Sequence, residues 1–530
     1  MKKPLPFLLL LIACPAFSQS TFIKGWSIWC EYQQNNMQQT ADHGYIVCTD
    51  AVPEMDTVNH LAWCYLIKLD ANGNTQWMKK FAKSSYFVKA QDGNAIVQTS
   101  DGGYAIGTVM YTSSPSTMNS HTAIYVVKTD GNGNFLWSGL YPGIGNSSAY
   151  CIQETSNHDL VVAGNTVDTT GPSPTGYDYL MRISSTGSFI WGKAYADPNG
   201  ANDFYSVSQT TDQGFIVCGD NSTGVVAKLD AMGNVSWARQ DSSAGSTTKE
   251  DVIELSNGTG YVSCGTDYAN QGATLIKYDL TGTPQWSYSY PPAASNSGLD
   301  VSYSVVEAAD GGYTLSLAET SGNGKAKLLH VSNSGTPVWA RAYDYTSYFL
   351  PIDLELTNDN GYAFCSGYYD TLSNWMVTLL KTDSLGRTTC GDTLRLDSIK
   401  TLSTPVLYNL PATSTGQRLS VTTTILNEYY PDLDYCNQHW EGVAEQQVQQ
   451  PIHLYPNPTD QELHIDLADH TSPVTCTINN SLGQEVYRQQ FNSGTASSII
   501  STGELPDGIY FLRISDGIKA DVAGKFIVSH

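Results

Sequence analysis

Between residues 44 and 390 the chain restates one pattern seven times: Gly-aromatic, a short apolar run, a variable stretch, a basic residue, then Asp or Ser, Gly and usually Trp. The clearest copies run from Lys68-Leu69-Asp70 to Gly73 and Trp77, from Lys128-Thr129-Asp130 to Gly133 and Trp137, and from Lys228-Leu229-Asp230 to Gly233 and Trp237. Others end at Trp191, Trp286 and Trp339, and the seventh, Lys381-Thr382-Asp383, has Cys390 where the Trp falls elsewhere. Successive anchors lie 46 to 60 residues apart. A period of this size with several strands per unit specifies propeller blades, because a lone unit cannot bury its own faces. The expected fold is all-β, a seven-bladed β-propeller, with six or eight blades as alternatives because the first and last copies are degenerate.

Each unit divides into strands a to d, expected in the sixth copy at 303–307, 313–317, 326–331 and 336–340. The a–b turns carry Asp-Gly signals such as Asp310-Gly311-Gly312, and the c–d turns carry Asp-x-x-Gly, both suited to tight hairpins that need positive φ. The b–c loops instead range from long (50–63, 109–123 and 165–178) to short (221–224). In a propeller the b–c and d–a loops share one face, so that face is free to specialise and a local function belongs there. The strand-d Trp137 and Trp237 are expected to be buried.

Residues 21–26 align with stretches that begin strand d elsewhere, so an N-terminal strand is expected to complete the seventh blade and pin the ring. The propeller then spans 21–390, a β-rich extension packed on the last blade spans 391–440, and a Gln-rich linker spans 441–451. Thirty-three Tyr, 46 Gly and only 15 % charged residues fit many short strands. A net charge of −23 argues against a nucleic-acid partner, whose phosphates need a basic surface.

The first residues read as a signal peptide over 1–18: Lys2-Lys3, an apolar run from Phe7 to Ala13, then Ala16-Phe17-Ser18 before Gln19. Leu11-Ile12-Ala13-Cys14 resembles a bacterial lipobox, which would put a lipid on Cys14; the Ala-x-Ser site just beyond favours ordinary cleavage. No later stretch reaches the roughly 18 apolar residues of a membrane span.

After the linker come Leu454-Tyr455-Pro456-Asn457-Pro458, an alternating Leu463-His464-Ile465-Asp466-Leu467, then Gly508-Ile509-Tyr510-Phe511 and a closing Gly524-Lys525-Phe526. Period-two alternation predicts a small immunoglobulin-like β-sandwich over 452–530. The same motifs, in the same order, closely resemble the type A C-terminal sorting domain of the type IX secretion system of Bacteroidetes. That resemblance makes Tyr455, Pro456, Asn457, Pro458, Gly508, Tyr510, Gly524 and Lys525 the sorting signal. It also implies Sec export, passage through an outer-membrane translocon and a secreted or cell-surface destination. The Asp-x-x-Gly-x-x-x-Trp unit is similar to the tryptophan-docking motif of quinoprotein-like propellers, with a turn one residue shorter. It is also similar to the sialidase Asp-box, with its Gly one residue late; these departures support neither a cofactor nor a glycosidase.

Other constellations read as structure. Cys48, Cys218, Cys264 and Cys365 each follow a strand-b Gly by four residues, a slot that puts them in separate blades as small core residues. Cys390 and Cys436 are placed to staple the extension to the last blade in an oxidising exterior, with free thiols the alternative. Lys68, Lys128, Arg182, Lys228, Lys277 and Lys381 stand two residues before Asp70, Asp130, Ser184, Asp230, Asp279 and Asp383, which favours local pairing over a ligand-binding basic ring. Asp130-Gly131-Asn132-Gly133-Asn134 looks like a calcium loop but lacks the distal acid and matches its sibling turns.

No catalytic motif stands out: no His-Glu-x-x-His, no Gly-x-Ser-x-Gly, no phosphate-binding Gly-rich loop. The sequence requires no cofactor. The expected function is a propeller that binds an extracellular glycan or protein ligand; the alternative is a carbohydrate-active or other hydrolytic enzyme on the same scaffold. The three longest b–c loops supply the candidate ligand residues Asp56, His60, Tyr111, His121, Tyr177 and Asp178, a mixture of rings and hydrogen-bonding groups that would wall a lopsided site on blades 1 to 3.

Overall fold

The c–d turn is the unit from which this architecture is built. Asp70 accepts hydrogen bonds from the backbone N–H groups of Asn72 and Asn74, both at 2.9 Å, which holds Gly73 at φ 80° and reverses the chain. Asp130 and Asp230 repeat the arrangement, so the Asp130 carboxylate serves its own turn. A computed structural model describes residues 21–434 and 454–529, apart from stretches that include 27–35, 52–60, 112–120 and 415–423. The leader with Cys14, the linker, and both Cys390 and Cys436 lie outside the described residues.

The chain forms two compact units, Met1–Gln438 and His439–His530. In the first, every copy of the repeat becomes an antiparallel four-stranded blade; blade 3, for example, is Asn146–Glu154, Leu160–Asp168, Thr175–Ile183 and Phe189–Tyr195. Strands a of successive blades touch in a closed cycle of seven. Blade 7 supplies only strands a to c itself. Phe22–Trp26 pairs antiparallel with Trp375–Thr382 as its strand d, so the N-terminal strand closes the ring as expected.

The core lies between blades rather than within them. Ile216, Cys218 and Val226 of blade 4 pack on Val252, Tyr261 and Tyr278 of blade 5, and each junction around the ring has a cluster of this kind. Cys48, Cys218, Cys264 and Cys365 fall in four different junctions, all buried.

Trp137 and Trp237 are not fully buried, and neither are Trp77, Trp191, Trp286 and Trp339. Each instead lies over the c–d turn of the following blade. A Cβ built on Gly282 would stand 2.6 Å from the Trp237 ring, and one on Gly133 would stand 2.8 Å from Trp77. Four residues on, Tyr141, Tyr195, Tyr290 and Tyr343 donate to the carbonyls of Gly187, Gly233, Gly335 and Gly386 at 2.7, 2.7, 2.8 and 2.7 Å. These glycines are held by positive φ and by the ring above them. Gly282→Ala, at φ 75°, is therefore expected to cost roughly 2 to 4 kcal/mol from left-handed strain plus overpacking. An unchanged urea midpoint would show that the turn relaxes freely.

The basic residues pair, but not with the partners the spacing suggests. Cross-strand register sets Lys68 opposite Ile46, next to the a–b turn, and its Nζ lies 2.9 Å from Asp42 rather than pairing with Asp70. Lys128–Asp101, Arg182–Asp159, Lys228–Asp212 and Lys381–Asp359 repeat this. In blade 5 the a–b turn offers Asn257 and Gly258 instead of Asp, and Lys277 reaches Asn333 of the next blade at 2.5 Å.

The extension corrects a second expectation. It does not stay on the last blade. Thr393–Arg395, Lys400–Thr401, Val406–Leu407, Ala412–Ser414, Thr424–Asn427 and Leu433–Asp434 pair antiparallel with the outermost strands of blades 6, 5, 4, 3, 1 and 7 in turn. Each strand d leaves a row of N–H and C=O groups facing outward, and a strap that runs backwards around the ring satisfies part of that row on blade after blade. Its last strand covers the outer edge of Phe22–Trp26 itself, pairing Lys24 with Asp434 and Gly25 with Leu433.

The second unit is a sandwich of a three-stranded sheet (Leu454–Tyr455, Glu462–Asp466, Ser497–Ser501) and a four-stranded one (Val474–Asn480, Glu485–Phe491, Gly508–Ser515, Val522–Val528). Leu463, Ile465, Cys476, Ile478, Leu512 and Phe526 are among its core residues.

Candidate functional site at the mouth of the central channel

Strand a of each blade lines the axis, and among the described residues it carries a one-residue bulge in five blades. The register slips between Ala149 and Cys151, Phe204 and Ser206, Lys249 and Asp251, Ser302 and Ser304, and Pro351 and Asp353. A bulge leaves one residue unpaired and re-aims it. In blades 3 to 6 those residues are Tyr150, Tyr205, Glu250 and Tyr303, all half-buried.

Around them the loop-face ends of the strands add polar groups. The Tyr150 and Tyr205 rings meet edge to face with centroids 5.3 Å apart. Asp203 accepts from Asn165 at 2.5 Å and from the Tyr205 hydroxyl at 3.3 Å, and Asn165 also reaches the Tyr150 oxygen at 3.4 Å. Asp203 stands directly opposite Asp220 across strands a and b of blade 4. Burial raises the Glu250 carboxyl to about 7; a hydrogen bond from Thr248 and the charge of Lys249 oppose the rise, and Asp220 and Asp203 reinforce it. Burial also raises the Tyr303 hydroxyl, with Glu250 and Tyr268 adding to it. Tyr268, 42 % exposed, sits at the rim.

Deeper in the channel the next residues of strand a make a tied floor. Asp251 accepts from Ser206 at 2.7 Å and from Ser304 at 2.9 Å, spanning three blades, and the Val305 N–H adds a bond at 3.0 Å. Asp353 takes the Met37 N–H at 3.0 Å in the same way. Burial raises Asp353 to about 7, and burial together with Asp353 and Asp251 raises Glu355 to about 8. Asp251 and Asp353 hold neighbouring strands together beneath the mouth.

A cavity of about 330 Å³ on the opposite face, between blades 2 and 3, offers a tempting trio. Ser100 Oγ lies 2.8 Å from His158 Nδ1 and donates to Glu154 at 3.0 Å. A single ring nitrogen faces both partners, so no second nitrogen is oriented by the acid as a catalytic triad requires. The same junction recurs as Thr211 to Glu254, Ser156 to Gln209 and Ser256 to Glu307, which makes it a clamp between blades.

Of the loop residues proposed from sequence, Asp56 and His60 lie outside the described residues. Tyr111 ends one strand and pairs with Thr122, next to an exposed His121. Tyr177 and Asp178 are not loop residues: strand c of blade 3 starts at Thr175, and Asp178 is fully buried opposite Asn165, so it cannot meet a ligand on the surface. The bulge residues were legible only as a column, Tyr150-Cys151-Ile152, Tyr205-Ser206-Val207, Glu250-Asp251-Val252 and Tyr303-Ser304-Val305, once the copies are aligned on strand a.

In the C-terminal unit the expected signal residues are spread over both sheets. Tyr455 stacks on His464 with centroids 5.1 Å apart, Asn457 accepts the Ile527 N–H at 2.9 Å, and Tyr510 donates to the Pro506 carbonyl at 2.7 Å and stacks on Phe526. Gly508, Gly524 and Lys525 pair with Val528, Leu512 and Phe511. Residues 453–529 match the family described as the secretion system C-terminal sorting domain. This unit is a type IX sorting domain. The sorting domain implies export to a surface or secreted location through that machinery, and no described helix is long and apolar enough to cross a membrane.

No curated protein matches the chain. Among solved structures, the Dos1 propeller is 10 % identical over 68 % of this chain and 95 % of its own, with a TM-score of 0.39. A Bacteroides caccae protein of unknown function is 9 % identical over 62 % and 97 %, with a TM-score of 0.34. The NanB sialidase of Streptococcus pneumoniae is 10 % identical over 67 % and 68 %, with a TM-score of 0.38. Likenesses this distant say nothing of activity.

Proposed function

We propose that the sorting domain delivers a propeller whose loop face binds a polar extracellular ligand, with the mouth of the central channel as the contact. The observation that carries this reading is the convergence of Tyr150, Tyr205 and Glu250, from three blades, on Asp203 and Asn165. Rings that stack and groups that exchange hydrogen bonds are what recognition of a hydroxyl-rich or peptide ligand uses. Tyr111, His121 and Tyr177, with Asp56 and His60, form the proposed outer contacts on blades 1 to 3.

Glycan- and peptide-array binding of the full chain tests the reading. Replacing Tyr150 or Tyr205 by Ala is expected to weaken binding of any ligand found by roughly fivefold per ring, since a stacked ring contributes about 1 kcal/mol, with melting temperature little changed. Unaltered affinity in both variants would place the contact elsewhere.

A second reading, hydrolysis of the bound ligand, is favoured by one feature. Burial holds the Glu250 carboxyl up to about 7, and a carboxyl that titrates near neutrality is suited to general acid–base chemistry. Turnover on a polysaccharide panel, abolished in Glu250→Gln, would establish it.

A further inference from the structure

We propose that Cys48 and Cys64 form a disulfide bond in the exported protein, a modification that staples strands b and c of blade 1 at the base of their connecting loop. It is independent of the binding reading and follows from the export that the sorting domain implies.

Register brings the pair together. Strand b, Tyr45–Ala51, and strand c, Leu61–Leu69, set Cys48 opposite Leu66 and Asp50 opposite Cys64, so the two cysteines stand on one diagonal of the same sheet face. Their Sγ atoms lie 3.5 Å apart, and the residues are 0 % and 1 % exposed in the junction between blades 1 and 2. A disulfide holds its sulfurs at about 2.05 Å, which a turn of each side chain and a slight closing of the strands supplies. The other blades act as internal controls. The Cys48 slot also holds Cys218, Cys264 and Cys365, but the Cys64 slot, four residues before the strand-c lysine, is filled in those blades by Gly224, Ala273 and Val377. Of these four blades, blade 1 alone carries both halves of the pair.

The step is a thiol–disulfide exchange with a disulfide-bearing oxidant of the periplasm, the compartment that Sec export enters. One cysteine, as its thiolate, attacks the oxidant disulfide, forms a mixed disulfide and releases one oxidant thiol. The second cysteine loses its proton, attacks the cysteine sulfur of the mixed disulfide and releases the other oxidant thiol. The protein thus gives up two electrons and two protons, and the oxidant leaves as a dithiol. The cysteines are 16 residues apart on one hairpin, so the exchange takes place while the blade is still open, before Ile106, Met110 and Tyr125 of blade 2 cover the sulfurs. Burial pushes the Cys218, Cys264 and Cys365 thiols up, so these stay protonated and unreacted. Once formed, the Cys48–Cys64 bond restrains both ends of the 50–63 loop, and its burial shields it from reductants.

Peptide mapping of the exported chain tests this. When the protein is acid-quenched, alkylated while unfolded and cut after Lys24, Glu31, Glu54 and Lys68, Cys30, Cys48 and Cys64 fall on peptides 25–31, 32–54 and 55–68. Peptides 32–54 and 55–68 are expected to run as one linked species that reduction splits, with Cys218, Cys264 and Cys365 fully alkylated. Reduction is also expected to lower the melting temperature of the unaltered chain by several degrees more than that of Cys64→Ala, in which Cys48 becomes alkylated. Blades 5 and 6 already carry alanine in this slot, at Ala273 and Ala326. Separate alkylation of Cys48 and Cys64 in the exported chain overturns the proposal, and so does a link from either one to Cys30. The peptide result is read on the unaltered chain, so it decides the matter even if the variant fails to fold.

Discussion

Truncation immediately before Leu454 is expected to leave the propeller folded and to abolish its surface display, with the protein accumulating in the periplasm. The reason is the division of cores. All seven clusters between blades draw on residues before 381, and the cluster of the sorting domain draws only on residues from Leu454 onward. No cluster mixes residues of the two units, so each core is built from its own segment. Surface proteolysis of intact cells together with the melting temperature of the truncated protein reads both halves of the expectation. Display at the normal level would mean that the address lies elsewhere in the chain, and a large fall in melting temperature would mean that the two units share stability.

Trp26→Ala is expected to cost about 3 to 5 kcal/mol, the range for a fully buried large side chain, and Trp137→Ala only about 1 to 2. Trp26 is 0 % exposed on the strand that closes the ring, and its Nε1 donates to Thr75 of blade 1 at 3.2 Å. It occupies the slot that Tyr141, Tyr195, Tyr290 and Tyr343 fill elsewhere, while Phe22 stands in the tryptophan slot opposite Lys381. Trp137 is partly open, and part of its indole already contacts water. Urea unfolding of the two variants decides the matter: equal losses would show that the closing strand is held no more tightly than any other strand d.

The repeat was enough to read the blades because its signals are local. A glycine that must take positive φ, an aspartate that must accept from its own turn, and a short β run are written within about ten residues of each other, and tight hairpins leave little choice of pairing. The lysine partners were misread for the same reason. Lys68 and Asp70 are near in sequence, but the b–c register brings Asp42 to Lys68 and the turn consumes Asp70. Burial of Trp137 was overestimated because apolar character says that a ring will find cover, not how much. Here one turn of the next blade supplies it.

The candidate site was legible only in its face. Variable loops singled out the face on which the site is proposed, yet the groups that converge come from bulges in strand a, at Tyr150, Tyr205, Glu250 and Tyr303. A bulge is a mismatch between two strands, so neither strand alone records it.

By itself the sequence determined the blade, the number of its copies, the closing strand and the sorting domain, since each is a local pattern that any chain carrying it must satisfy in the same way. The tertiary structure alone decided the path of the strap and the make-up of the channel mouth. Two- to four-residue strands carry no period to read, and which edge they cap depends on where six other blades have left unpaired backbone. The mouth depends on which residues the closed ring turns inward from four blades at once, a matter of distance across the axis that no spacing along the chain contains.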